Sequence, residues 1–352
     1  MNHSNKIERL RRLMSEKKLD AIIIPSFDQT SPNLFYFTEY LDSEPNAYII
    51  TGEEEILITR DCTRAKKESD IKNCTSTSTL KISDFLKHRR LENKNIGIDG
   101  SIKYSFIYQL NKKLPDLRLE DISNDLLLIR SVKNEHEIEN IRTACLASDR
   151  VLAEIRQEGL IKNELLLKQK INRKIVNIGK EWSSNTIVAG DENSSNMHHL
   201  PKNSHFKKIV LVDFRIKNMQ YISDISRTFI LKNNEKIKKA LDALLTLHSR
   251  LDDIIEPGFR ASDIAVFARK TLEKAGYEKS NYGNFHNLGH GVGLQKHEYP
   301  LISEKSEDIL EKNMTFTLEP AIYFPGMFGI RLKDTILMKN TGIKRLSNFR
   351  PE

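Results

Sequence analysis

Three carboxylates and a group of histidines are the residues whose types and spacing suggest chemistry. In KIVLVDFRIKNMQYISDISRTF, two β-rich runs flank a polar KNMQ, which predicts a hairpin carrying Asp213 and Asp224. A turn centred between Asn218 and Met219 sets the two aspartates directly opposite on one face, with Cβ atoms roughly 4.5–5.5 Å apart. Facing carboxylates repel unless a cation or a shared proton lies between them. The plainer alternative is a pair of solvated edge aspartates. In TFTLEPAIYFPGMFGIRLKDTIL the turn signal is Pro325–Gly326, and a hairpin centred on Gly326 brings Glu319 opposite Lys333. Arg331 shares the face of Lys333, because side chains alternate along a strand, and Asp334 points to the other face. Here the plainer alternative is a surface Glu–Lys pair.

FHNLGHGVGLQKHEYP supplies His286, His290 and His297, and SSNMHHLP supplies His198 and His199. Five of the ten histidines thus fall in two short glycine- or polar-flanked segments, which is harder to dismiss than one structural histidine. Gly289, Gly291 and Gly293 permit close backbone approach but form no phosphate loop. With three carboxylates at hairpin positions, the set suggests hydrolysis assisted by a hard metal, with imidazoles positioning substrate or moving protons.

The elements that must position these residues fall into two groups. IERLRRLMSEKKL reads as an amphipathic helix with Ile7, Leu10 and Met14 on one stripe. DAIIIPS, NAYIITG, EEILITR and NIGIDG then read as strands between polar or helical segments, as in an α/β domain. A boundary is expected near residue 124, giving domains 1–124 and 125–352. A long helix follows, with Asn134 as its cap and Glu137 reaching back. Further helices are expected over 163–178, over KIKKALDALLTLHSRLDDII, and from Ser262 to Ala275 with Gly276 closing. Helices before strand pairs, repeated once, make the second domain α+β.

Composition narrows the class. The 352 residues suit two domains, and 39% apolar content supports a real core. MNHSNKIERLRRLM lacks a signal-peptide core and no apolar run nears ~18 residues, so the expectation is a soluble, cytoplasmic protein with no membrane partner. The charge of +8 is spread along the chain and interleaved with acids, which reads as a solvated basic surface and argues against a nucleic-acid binder. Cys62, Cys74 and Cys145 lack CxxC spacing, so neither a disulfide framework nor a cysteine zinc site is expected.

Read together, IERLRRLMSEKKLDAIII, LIRSVKNEHEIENIRTA, IVAGDENSSNMHHLP, VDFRIKNMQYISDISRT, HNLGHGVGLQKHE, TLEPAIY and GIRLKDT follow one another as in a known family. The chain resembles, along its length, the pita-bread hydrolases: prolidase, aminopeptidase P, methionine aminopeptidase and creatinase. The resemblance implies a creatinase/prolidase-type α/β N-terminal domain and an α+β pita-bread catalytic domain. It implies metal ligands at Asp213, Asp224, His290 and Glu319, and catalytic histidines at His198, His286 and His297. His199 lies one position off. Arg331 matches an arginine that holds the first aspartate. The family's second glutamate, which bridges two metals, falls on Lys333. Arg215 stands where the family usually has glycine, and Gly190–Asp191 replaces Ser–Gly.

Lysine changes the charge balance. Four carboxylates neutralise two divalent ions, whereas three carboxylates and an ammonium leave only enough charge for one. The resemblance therefore implies one divalent ion (Mn, Co or Zn) rather than two, or none. A single ion on Asp224, His290 and Glu319, with Lys333 beside Asp213, is one arrangement; a lysine paired to Glu319 and Asp213 without metal is another. The implied activity is Xaa-Pro dipeptidase or aminopeptidase hydrolysis of proline-containing peptides by a metal-bound hydroxide, in a homodimer. A metal-free creatinase-type hydrolase and a non-catalytic binding protein are the alternatives.

Overall fold

The computed structural model describes residues 3–27, 31–76, 82–182, 185–278 and 287–350, in two compact units, Met1–Arg130 and Ser131–Glu352. The division follows Arg130, at the end of helix Ser123–Ser131, six residues beyond the boundary expected near residue 124.

The first unit is built on a six-stranded mixed sheet, as the alternating helix and strand signals suggest. Ala21–Ser26 lies near its middle, antiparallel to Asn46–Thr51 and parallel to Asn95–Ile98. The opening helix His3–Lys17 buries Ile7, Leu10, Leu13 and Met14 on one stripe. One expectation fails here: Cys62 and Cys74 form a disulfide. Cys62 opens a helix that leaves strand Glu55–Thr59, and Cys74 opens the strand that returns parallel to it. This short crossover sets the two Cα atoms 5.7 Å apart, a proximity that spacing alone does not reveal. Cys145 is buried and free.

In the second unit helix Glu135–Glu158 starts with a capping box, Asn134 and Glu137 each satisfying the other's backbone N–H. It packs with helix Glu164–Asn177 against one face of a three-stranded antiparallel sheet, through Val151, Ile155, Leu167 and Ile171 on Val210, Val212 and Phe214. Period-two alternation turns Asp213 to the opposite face. Helices Glu235–Ile254 and Ala261–Lys274 back the second sheet in the same way, Leu244, Leu247 and Ile264 sharing a core with Phe316, Leu318 and Ile336. Gly276, with φ of 87°, ends the latter helix as expected. That sheet has five strands, in the order Glu298–Ile302, Gly289–Gly291, Thr315–Leu318, Asp334–Met338, Ile343–Arg345. Among the described residues no helix is long and apolar enough to cross a membrane.

Candidate active site

The first hairpin is real but its register differs from the expectation. Strands Ile209–Phe214 and Ile225–Ile230 pair Asp213 with Ser226, and Lys217 pairs with Ile222 further along. The turn is therefore Met219–Gln220, both at positive φ (46° and 68°), the backbone twist a two-residue hairpin turn requires. Asp213 and Asp224 are diagonal neighbours on one face, and the residue that the register sets opposite Asp224 is Arg215. The second hairpin keeps the expected register: Ala321 pairs with Arg331 and Leu318 with Asp334, a pattern centred on Gly326 at φ of 70°. Glu319 consequently faces Lys333, whose ammonium lies 2.8 Å from Glu319 Oε2.

What brings the two hairpins together is a bridge between Ser226 and Lys333, each donating its N–H to the other's carbonyl at 3.2 and 3.1 Å. Thr228 Oγ1 extends the seam, donating to the Arg331 carbonyl and accepting from its N–H, both at 3.1 Å. The Lys333 ammonium thereby sits among three carboxylates, also 3.1 Å from Asp224 Oδ1 and 3.4 Å from Asp213 Oδ2. Burial opposes a charge on Lys333, but Asp213, Asp224 and Glu319 outweigh it and hold its pKa above the ordinary value. Burial likewise pushes the Asp213 carboxyl up, and Lys333, Arg331 and Arg215 together hold it far below the usual carboxylate range.

Arg331 is held by three side chains of the site. Its Nη2 donates to Asp213 Oδ2 at 2.9 Å, its Nε to Ser226 Oγ at 2.9 Å, and its Nη1 to Tyr323 Oη at 3.0 Å. Arg215 does more than the sequence suggested. Its guanidinium pairs with Asp224 Oδ2 at 2.9 Å and with Asp213 Oδ1 at 3.7 Å, and this charge is sustained by those acids against burial. The signal was available: Arg215 lies two residues beyond Asp213 and must share its face.

His290 comes from the five-stranded sheet. Gly289 and Gly291 beside it are required, since a Cβ would lie 1.8 Å from the Thr317 carbonyl oxygen and 2.0 Å from that of Tyr299 respectively. The carbonyl of Gly291 accepts from His290 Nδ1 at 3.1 Å, which leaves Nε2 facing Glu319 Oε1 at 3.4 Å and Asp224 Oδ2 at 3.6 Å. The His297 ring stands edge-on to it, centroids 4.5 Å apart. Burial, with the nearby His290 and Lys296, pushes the His297 pKa down to about 4, so this ring is neutral at neutral pH. His198 is exposed and joins His290, His297, Arg215 and Lys333 in lining a cleft of ≈ 610 Å³. His199 is buried instead against Glu164, 2.8 Å from Oε2. Glu164 also accepts from the backbone N–H groups of Gly190 and Lys202 and from Asn193, so it fixes the loop that presents His198. Sequence reasoning did not find this residue, which carries no motif. His286 lies outside the described residues.

These donors can be tested against the metal centre that the resemblance implied. His290 Nε2 lies 3.6 Å from Asp224 Oδ2 and 3.4 Å from Glu319 Oε1, but among the described residues no three such groups are arranged to hold one ion. Asp224 Oδ2 already faces Arg215, and the other oxygen of each acid faces Lys333. Three carboxylates are matched by three cations, Lys333, Arg215 and Arg331, so the cluster is neutral as it stands. A divalent ion about 4 Å from the Lys333 ammonium would meet a repulsion of about 8 kcal/mol at an effective dielectric near 20. The expectation of one remaining ion left Arg215 out of the balance. In this arrangement the residues do not fit a two-ion centre, nor one ion beside both cations.

Comparison with known proteins extends the likeness over the chain. Residues 6–132 match the creatinase/prolidase N-terminal domain and residues 139–340 match metallopeptidase family M24, a family that implies a divalent metal. The Xaa-Pro dipeptidase of Pyrococcus horikoshii is 31% identical over 99% of this chain and 98% of its own, and that of Pyrococcus furiosus 29% identical over 99% of each. The crystal structure of the Pyrococcus horikoshii prolidase superposes with a TM-score of 0.89 at 29% identity, covering 99% of both chains. The X-Pro aminopeptidase of Thermotoga maritima superposes with a TM-score of 0.87 at 26% identity, covering 98% of this chain and 99% of that one. With a creatinase/prolidase-type N-terminal domain leading into the pita-bread fold, this chain belongs to metallopeptidase family M24.

Proposed function

We propose that the cleft receives dipeptides or short peptides with proline in second position and that the chain hydrolyses the Xaa-Pro bond. The observation that carries this reading is the convergence of His198, His290 and His297 with Asp213 and Glu319 on one cleft, with buried Asp224 3.6 Å from His290, in a chain alike over its whole length to an Xaa-Pro dipeptidase. Neutral His297 is suited to accept a hydrogen bond from the substrate amine or from water, and exposed His198 to meet the substrate at the mouth. Leu200 and Leu301, both exposed at the cleft, offer apolar surface to a pyrrolidine ring. Arg215 supplies positive charge toward a carbonyl or carboxylate oxygen. As finer parts of the same reading, the chain works as a homodimer in the cytoplasm. The Cys62–Cys74 disulfide weighs against a reducing compartment, so a thiol count on the protein taken directly from cells checks that placement.

A second reading, a non-catalytic binding protein using the same cleft, is favoured by one observation: Lys333 fills the space among the three carboxylates. Proline release from Ala-Pro, Leu-Pro and Met-Pro, measured with and without added Mn²⁺ or Co²⁺, separates the two. Release that is lost in His297→Ala supports the hydrolase. Dipeptide binding by calorimetry with no release under any condition rejects it and leaves the binding protein.

A further inference from the structure

We infer that Arg215 and Lys333 act as a built-in counter-ion pair, taking the place of divalent metal in the carboxylate cluster and making this cleft metal-independent. The inference goes beyond the hydrolase reading and holds whether or not the cleft turns over peptide.

The geometry supports it from two sides. Lys333 enters from the second hairpin and contacts all three acids, at 2.8, 3.1 and 3.4 Å. It is buried, and its backbone is tied to Ser226 in both directions, which fixes the point from which its side chain reaches the acids. Arg215 enters from the first hairpin, far away in sequence, and bridges the two aspartates from the cleft side. Its contacts are the carboxylate oxygens that Lys333 leaves: Asp224 Oδ2 rather than Oδ1, and Asp213 Oδ1 rather than Oδ2. The two cations thus divide the aspartate oxygens between them, with Arg331 on Asp213 Oδ2 completing the balance. Asp213 Oδ1 and Asp224 Oδ2 are buried oxygens with no hydrogen bond among the described residues, and both face the Arg215 guanidinium as ion-pair partners. A buried carboxylate needs a compensating charge. Here the chain supplies that charge itself, from positions that the pleat and the register of each hairpin force into one space.

The test is metal content and metal-dependent melting, neither of which depends on turnover, so it can fail separately from the hydrolase reading. Protein purified without chelator is measured by elemental analysis and then melted with and without about 1 mM Mn²⁺, Co²⁺ or Zn²⁺, since any ion bound by the folded state alone raises the melting temperature. The expected result is no stoichiometric ion and no shift in melting temperature. The double variant Arg215→Gly/Lys333→Glu removes both cations and adds a fourth carboxylate. It should take up ions and melt about 5 °C higher when they are present. Should that variant not fold, Lys333→Glu alone should take up at least one ion. The inference is overturned if the unaltered protein carries about one ion or more per chain that is lost in His290→Ala. It is also overturned if a folded variant lacking the cations remains indifferent to metal.

Discussion

Lys333 immediately precedes strand Asp334–Met338, and the two neighbours Lys333 and Asp334 face opposite sides of the chain with opposite electrostatics. Lys333 is a cation among three acids. Asp334 is an anion among cations: it pairs with Arg227, with Arg345 at 2.7 Å and with Arg350 at 3.4 Å, while His248 Nδ1 lies 3.7 Å away. Burial pushes the Asp334 carboxyl up, but Arg227, His248 and Arg345 hold it well below the usual range. The same physics, a buried charge surrounded by its opposite, therefore operates twice within two residues. What differs is access. The Asp334 cluster is closed over by the C-terminal segment: Ser347 donates to Asp334, Arg227 donates to the Phe349 carbonyl, and Asp149 accepts from the N–H groups of Asn348 and Phe349. The Lys333 cluster opens on a cleft lined by histidines. Charge density alone does not mark a site; charge density reached by a ligand does.

The largest effect is expected where closure leaves no water to compensate. Asp334→Asn keeps the volume and removes the charge, stranding buried Arg227, and should cost about 3–5 kcal/mol in urea unfolding. A loss below about 1 kcal/mol would show that the C-terminal tie is not electrostatic. Lys333→Met should cost about 2–4 kcal/mol at pH 7, with part of the loss recovered on mild acidification as the uncompensated carboxylates take protons. That recovery, measured by melting at pH 5 against pH 7, is the sign that separates the two clusters, because Asp334→Asn should show none.

Smaller effects sharpen the contrast between holding a site and being in it. Glu164→Gln should cost about 1–2 kcal/mol by weakening its contacts to Gly190, His199 and Lys202. It should weaken dipeptide binding more than a surface substitution does, because the loop carrying His198 loosens; calorimetry reads this directly. Finally, burial and then Arg345 push the pKa of His248 down to about 3, against an unfolded value near 6.5. The unfolded chain thus binds a proton that the folded chain refuses, so stability should fall as pH drops from about 6.5 toward 3. His248→Gln should flatten the upper part of that profile, and unchanged curvature between pH 6.5 and 5 would remove His248 as its cause.

Local rules made several features legible. The apolar stripe of the first helix, the capping box at Asn134 and the second-hairpin register followed from periodicity and turn chemistry within short segments. In the first hairpin the same rules placed the strands but not the turn, because Met219 and Gln220 carry no glycine or Asn-Gly signal for the positive φ they adopt. That misplacement concealed Arg215 as the partner of Asp224.

By itself, the sequence determined which faces of which strands carry charge, since alternation is a property of consecutive residues, and it determined ancestry through the order of its motifs. Only the tertiary structure decided what those charges meet. The Ser226–Lys333 bridge, the disulfide between Cys62 and Cys74 and the closure of Asp334 by the C-terminal segment all join residues through folding rather than through spacing. The carboxylates were visible in the chain. That they are matched by three cations, Arg215 from one hairpin and Arg331 and Lys333 from the other, follows from long-range packing, because a Coulomb balance depends on distances that no local pattern encodes.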